Sequence, residues 1–214
     1  MSKPRPPEPS EALKKFRGSM IMDYEKWKEG IGYDMDAFAA MTDEEKQTVL
    51  SEIREKNSLD WRDMEVLKVD NSKVSFDRLR DVLASGTCDA RAHALDDLYD
   101  MGRMNDSVFD WKLAEILDDV TDNDGVTASL LLVQQRCGPK TREALQKGVR
   151  ERPDIALHYA SALLDLEGLS DDMAAFDPKF RPTLLKLLPD EPEEVRAKAI
   201  EQVFAWLGSG KKPS

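Results

Sequence analysis

Cysteine is nearly absent. Cys88 and Cys137 are the only thiols in 214 residues, which excludes a disulfide-stapled scaffold and fits a reducing compartment. Long apolar runs are missing too, and no stretch approaches the roughly 18 residues that a membrane span needs. The opening segment, Met1 to Ser10, has no apolar h-region of the kind a secretory signal carries. A cytoplasmic protein free of the membrane is expected. Positive charge is in short supply: 31 Lys and Arg face 42 Asp and Glu, a net of −11. Nucleic-acid affinity rests on cations that neutralise phosphates, so DNA or RNA is not expected as a partner. Runs of alternating polar and β-branched residues are lacking as well, which removes the main signal for strands.

What is present is helical patterning with much charge. Apolar residues make up 41% of the chain, enough for a continuous core, and charged residues 34%. That surplus of charge suits a surface-rich stack of repeats, where each unit touches only its neighbours. Four prolines and almost nothing apolar in residues 1–10 predict a disordered arm over residues 1–15. The closing Lys and Pro predict a flexible tail over 209–214. Thr42 with Glu45 three residues on reads as a capping box. It opens a helix that runs to about Lys56 with Val49, Leu50 and Ile53 inward, and a second short helix is expected over Trp61–Val69.

From residue 75 onward the chain repeats a plan: a helix, a turn, an acidic residue able to cap a second helix, and a glycine. The second helices begin near Asp89, after the turn Asp122–Gly125, at Asp154 and at Glu193. The glycines are Gly102, Gly138, Gly168 and Gly208, spaced 36, 30 and 40 residues apart, which is within the range of helical repeats. Glycine is favoured just past a helix end because it takes the left-handed conformation at no steric cost.

The segments Asp89-Ala-Arg-Ala-His-Ala and Glu194-Val-Arg-Ala-Lys-Ala resemble the second helix of the HEAT repeat, which opens with an acid, a Val-Arg-like pair and small alanines. The resemblance covers residues 75–208, closely in the first and fourth units and loosely in the middle two. It implies an all-α, right-handed α-solenoid, a superhelical stack of HEAT-like helix pairs over 71–208. Residues 16–70 would then be an N-terminal helical cap. Proteins of this architecture are usually scaffolds for protein binding; some that resemble HEAT stacks act on DNA bases or bilin chromophores.

Four features compete for a site. From Asp89 to Asp124 there are eleven Asp or Glu against three Lys or Arg, a net of −8. Asp96, Asp97, Asp100, Asp118, Asp119, Asp122 and Asp124 could merge into one acidic concave face that docks a basic protein. The turn Asp122-Asn-Asp-Gly125 suggests calcium, but an EF-hand with its glycine there would need acids at Val120 and Leu131, and both are apolar. His93 and His158 would stand on the order of 20 Å apart in such a stack, too far for one metal ion. Finally, residues 16–38 are rich in Met and aromatics, and Tyr24, Trp27 and Tyr33 could be a binding hot spot.

No nucleophile elbow, Cys–His pair or phosphate loop is present in the sequence, and Gly208-Ser-Gly-Lys211 lacks the spacing of one. No enzyme activity, cofactor or metal is expected. The expectation is a scaffold, monomeric when free, that docks a basic protein partner on its acidic face, as a toxin-neutralising immunity protein would. The alternative is a structural adaptor or assembly factor that binds through the aromatic N-terminal segment.

Overall fold

The computed structural model describes residues 8–169 and 173–209, and of Trp27 the backbone alone. Among these residues the fold is all-α: no strand is present, and the only bridges join Thr121 to Asp124 and Gly125. Among the described residues no helix is long and apolar enough to cross a membrane. The chain divides into two compact units, 1–79 and 80–214, so the division falls later than the 70/71 boundary read from sequence.

The first unit holds α1 (Glu11–Met20), α2 (Tyr24–Glu29), α3 (Met35–Ala40), α4 (Asp43–Arg54), α5 (Trp61–Asp70) and the start of α6 (Lys73–Ser85). The arm expected over 1–15 is corrected at its end. Residues 11–15 are helical, because Ser10 caps Leu13 N–H at 3.1 Å. Glu45, from α4, then accepts from both the Ser10 N–H and its hydroxyl at 2.8 Å. The first seven positions of that arm, and 210–214 of the expected tail, lie outside the described residues, while Ser209, where that tail was to begin, is the last residue of a helix. The Thr42–Glu45 capping box forms with both halves present, and Val49, Leu50 and Ile53 are buried beneath it. A second box, Asp60 with Asp63, starts α5. Phe16 anchors the core, with Tyr33 and Phe38 each 5.5 Å away centroid to centroid.

The second unit holds α7 (Cys88–Asp100), α8 (Asp106–Asp119), α9 (Val126–Gln135), α10 (Pro139–Glu151), α11 (Ala156–Leu166), α12 (Arg181–Leu184), a 3-10 turn (Leu185–Leu187) and α13 (Glu193–Ser209). Helices alternate between two rows. In one, α8 packs along α10; in the other α7 meets α9, α9 meets α11, and α11 meets α13. The core between them is continuous, from Phe109, Leu113 and Leu117 through Leu145 and Tyr159 to Phe180 and Val203.

The repeat plan holds in part. Gly102 and Gly168 take φ +67° and +62° and close two Schellman motifs. In the first, Gly102 N–H donates to Tyr99 O and Arg103 N–H to Leu98 O; in the second, Gly168 N–H donates to Asp165 O and Leu169 N–H to Leu164 O. The other two glycines differ. Gly138 is extended and stands at the N-cap of α10, and Gly208 lies inside α13. The expected acidic caps are also corrected. Thr87, not Asp89, caps α7, while Asp154 pairs with Arg152 at 2.7 Å instead of capping α11.

Candidate functional site

The seven aspartates expected to form an acidic face are mostly occupied within the fold. Asp96 and Asp100 on α7 share Arg136, at 2.8 and 3.3 Å. The guanidinium of Arg136 also lies 4.6 Å from the centroid of Tyr99. Asp118 pairs with Lys147 at 3.0 Å and Asp119 with Arg91 at 2.7 Å. Asp97 is half-buried on α7, and Asp122 is exposed in the α8–α9 turn. Arg136 and Lys147 both come from beyond residue 124, so a charge count over a window misses them. Exposed pairs of this kind add at most about 1 kcal/mol each to stability; they take up individual carboxylates but leave the region acidic, since Arg136 and Lys147 change its net charge only from −8 to −6.

Asp124 has a structural task. Its carboxylate accepts from Cys88 N–H at 2.8 Å and Asp89 N–H at 3.0 Å, which are the first two amides of α7. Thr87 takes the third, Ala90 N–H, at 3.3 Å. Asp110 does the same for α10, accepting from Lys140 N–H and Thr141 N–H at 2.9 Å. A helix start leaves its first amides without partners inside the helix, and a carboxylate there also meets the positive end of the dipole. Burial opposes the charge on Asp110, but the amides of Thr141 and Lys140 outweigh it and hold the carboxyl below its usual range.

This cap sets a pH dependence. A carboxyl depressed in the folded state contributes stability above its unfolded value of about 4, and that contribution is lost as pH falls through the folded value. Asp110→Ala is expected to cost about 1–2 kcal/mol near neutral pH. In urea melts the gap between wild type and variant should narrow steadily on acidification below about pH 4. A gap that stays constant with pH would mean the carboxylate is not what holds α10. Asp124→Ala should cost a similar amount near neutral pH, about 1–2 kcal/mol.

The aromatic segment splits in the same way. Tyr33, expected at an interface, is 7% exposed. Its hydroxyl donates to Asp63 Oδ1 at 2.9 Å, and Arg62 lies 4.9 Å from its ring centroid. Lys56 reaches the same Asp63 oxygen at 2.6 Å. Burial, then the charges of Asp63 and Asp60, push the Tyr33 phenol well above its ordinary value. Tyr33 is therefore a core residue. Tyr24 remains at the surface, 72% exposed, near in sequence to exposed Ile21, Met22 and Ile31. Trp27 lies on α2, its side chain outside the described residues.

A different surface emerges between α9 and α11. Val126, Leu130, Leu131, Ala162 and Met173 line an open groove of about 320 Å³ with His158 and Gln134 at its edge. Leu131 is 52% and Met173 48% exposed. Helix α9 carries no charged residue, and α11 carries only Asp165. The Asp165 carboxylate accepts from Ala174 N–H at 2.7 Å, which fixes the loop that forms the groove wall. The signal for this groove was in the sequence, as ten uncharged positions from Val126 to Gln135 in a chain that is 34% charged. Those residues read equally well as core. No protein-family model matches the chain, and no curated protein or solved structure matches it either.

Proposed function

We propose that this chain is a non-catalytic protein-binding scaffold, its second unit a HEAT-like superhelical stack, and that it takes an apolar segment of a partner protein in the groove between α9 and α11. The observation that carries the reading is the uncharged, half-exposed row of Val126, Leu130, Leu131 and Met173 in an acidic protein. Contiguous apolar surface rimmed by polar groups marks interaction sites. Burying the exposed parts of Leu131 and Met173 would supply on the order of 1–2 kcal/mol each. A partner helix with Leu, Met or Phe on one face fits such a groove.

The second reading keeps a basic protein partner, as for a toxin-neutralising immunity protein. The net charge of −11 and the exposed position of Asp122 favour it. One experiment separates the two: capture of partners by the tagged full chain, by Leu131→Glu and by Asp122→Lys, each first checked for an unchanged melting curve. The groove reading expects a partner that survives high salt, persists with Asp122→Lys and is lost with Leu131→Glu. Loss with Asp122→Lys and retention with Leu131→Glu would replace it by the charge-steered reading.

A further inference from the structure

A second cavity, apart from the α9–α11 groove, lies where α10, the 3-10 turn and α13 meet. It is about 190 Å³, and its floor is apolar: Val149, Ala156, Leu187 and Ile200. Two arginines, Arg150 and Arg196, line it. Among the described residues neither has a carboxylate partner within 4.0 Å. This sets them apart from Arg91, Arg136, Arg142 and Arg152 of the same unit, each of which is paired with an acid.

Both guanidiniums are nevertheless held in place. Arg150 stacks on Phe204 with its central carbon 3.8 Å from the ring centroid. It gives a hydrogen bond to Gln146 O at 3.3 Å. Arg196 Nη1 donates to Pro189 O at 3.1 Å and Glu191 O at 2.9 Å. These acceptors are neutral, so they orient the groups without compensating their charge. A planar guanidinium fixed by stacking loses little freedom when it binds an oxyanion, and it can do so through two donors at once.

The start of α13 adds to this. Glu193, Arg196 and Ala197 of its first turns border the cavity, and the preceding residue, Pro192, has no side-chain acceptor. Among the described residues no side-chain oxygen accepts from Glu193 N–H or Glu194 N–H. In α7 and α10 the equivalent amides are taken by Asp124 and Asp110. A helix start of this kind favours an anion. Glu193, exposed at the rim, is the one acid among the lining residues.

We infer that this cavity binds a carboxylate carried on a small aliphatic body, the anion between Arg150 and Arg196 and the aliphatic part on Val149, Leu187 and Ile200. Such a group could be the last residue of a protein chain or a free short-chain acid; the chemistry recognised is the same. The volume suits a group the size of one leucine side chain with its carboxylate.

The test is amide-resolved NMR titration of the full chain with N-acetyl-leucine, its carboxamide and hexanoate. Binding of at least one carboxylate is expected with a Kd on the order of 1 mM, with shifts centred on Val149, Arg196, Ala197 and Ile200. The carboxamide should bind about tenfold more weakly. Arg150→Gln and Arg196→Gln, confirmed folded by their unperturbed spectra elsewhere, should each weaken carboxylate binding about tenfold as well. Tighter binding of N-acetyl-leucine assigns the site to a chain terminus, and tighter binding of hexanoate assigns it to a free acid. Equal binding of the carboxamide, or no shifts from either carboxylate at about 10 mM, overturns the inference.

Discussion

Gly125→Ala is expected to destabilise the protein by about 3 kcal/mol or more. Gly125 stands at φ +83°, a conformation that costs an alanine about 1–2 kcal/mol. The turn also presses its backbone against the start of α7. A Cβ at Gly125 would lie 2.5 Å from Cys88 Cβ, 2.8 Å from Cys88 C and 2.9 Å from Asp89 N. Two of those atoms are backbone, so relief requires α7 to move away from Asp124, which would lengthen the hydrogen bonds that cap it. Strain and loss of the cap therefore act together. Urea denaturation of the full chain measures the effect. A loss below about 1 kcal/mol would mean that the turn can open without disturbing α7.

Gly148→Ala is the second large effect, and its sign has to be decided between opposing terms. In a helix interior, alanine is normally favoured over glycine by about 1 kcal/mol. Here the added Cβ would lie 2.4 Å from Tyr159 Cδ2 and 2.6 Å from Cε2. That ring is fully buried, and its hydroxyl donates to Leu117 O at 2.6 Å. The ring is thus fixed at both ends and cannot slide away cheaply, so overpacking of up to about 3 kcal/mol outweighs the gain in propensity. A net loss of about 2 kcal/mol is expected. Thermal melting with near-ultraviolet circular dichroism checks it, because the tyrosine signal should change along with the midpoint. A variant more stable than the parent would show that α10 and α11 can separate at this crossing.

Local chemistry was legible in the sequence wherever the deciding partners lie a few residues apart. The Thr42–Glu45 box and the left-handed glycines at 102 and 168 all satisfy groups within their own helix end. What escaped the reading depends on partners 28 or more residues away. Asp124 resembled turn chemistry or a calcium ligand, and its true partners are amides at Cys88 and Asp89. Gly138 resembled a helix terminator. It is glycine because a Cβ there would sit 2.3 Å from Asp110 Cγ, the carboxylate that caps α10. Tyr33 looked like an interface aromatic because it stands in a segment rich in aromatics; its hydroxyl is instead taken by Asp63, 30 residues on. The acidic face belongs here too, since Arg136, just past α9, and Lys147 on α10 take up three of its carboxylates from outside the window that a charge count covers. Even the groove at Leu131 fits this account, because a run of apolar residues does not say which of its members a neighbour will cover.

The two long-range caps have a consequence for the order of events during synthesis. Helix α7 leaves the ribosome before the carboxylate that completes its first turn exists, because Asp124 follows Cys88 by 36 residues. Helix α10 has the opposite history: Asp110 precedes Lys140 by 30 residues and is waiting when that helix emerges. The stretch from α8 to the turn at Gly125 thus serves both neighbours, finishing the helix made before it and templating the one made after. A nascent chain that stops short of residue 124 leaves α7 with two bare amides and a fraying first turn. One extended past residue 141 has both starts secured, so the second unit should gain its protection against hydrogen exchange in one late step and not helix by helix.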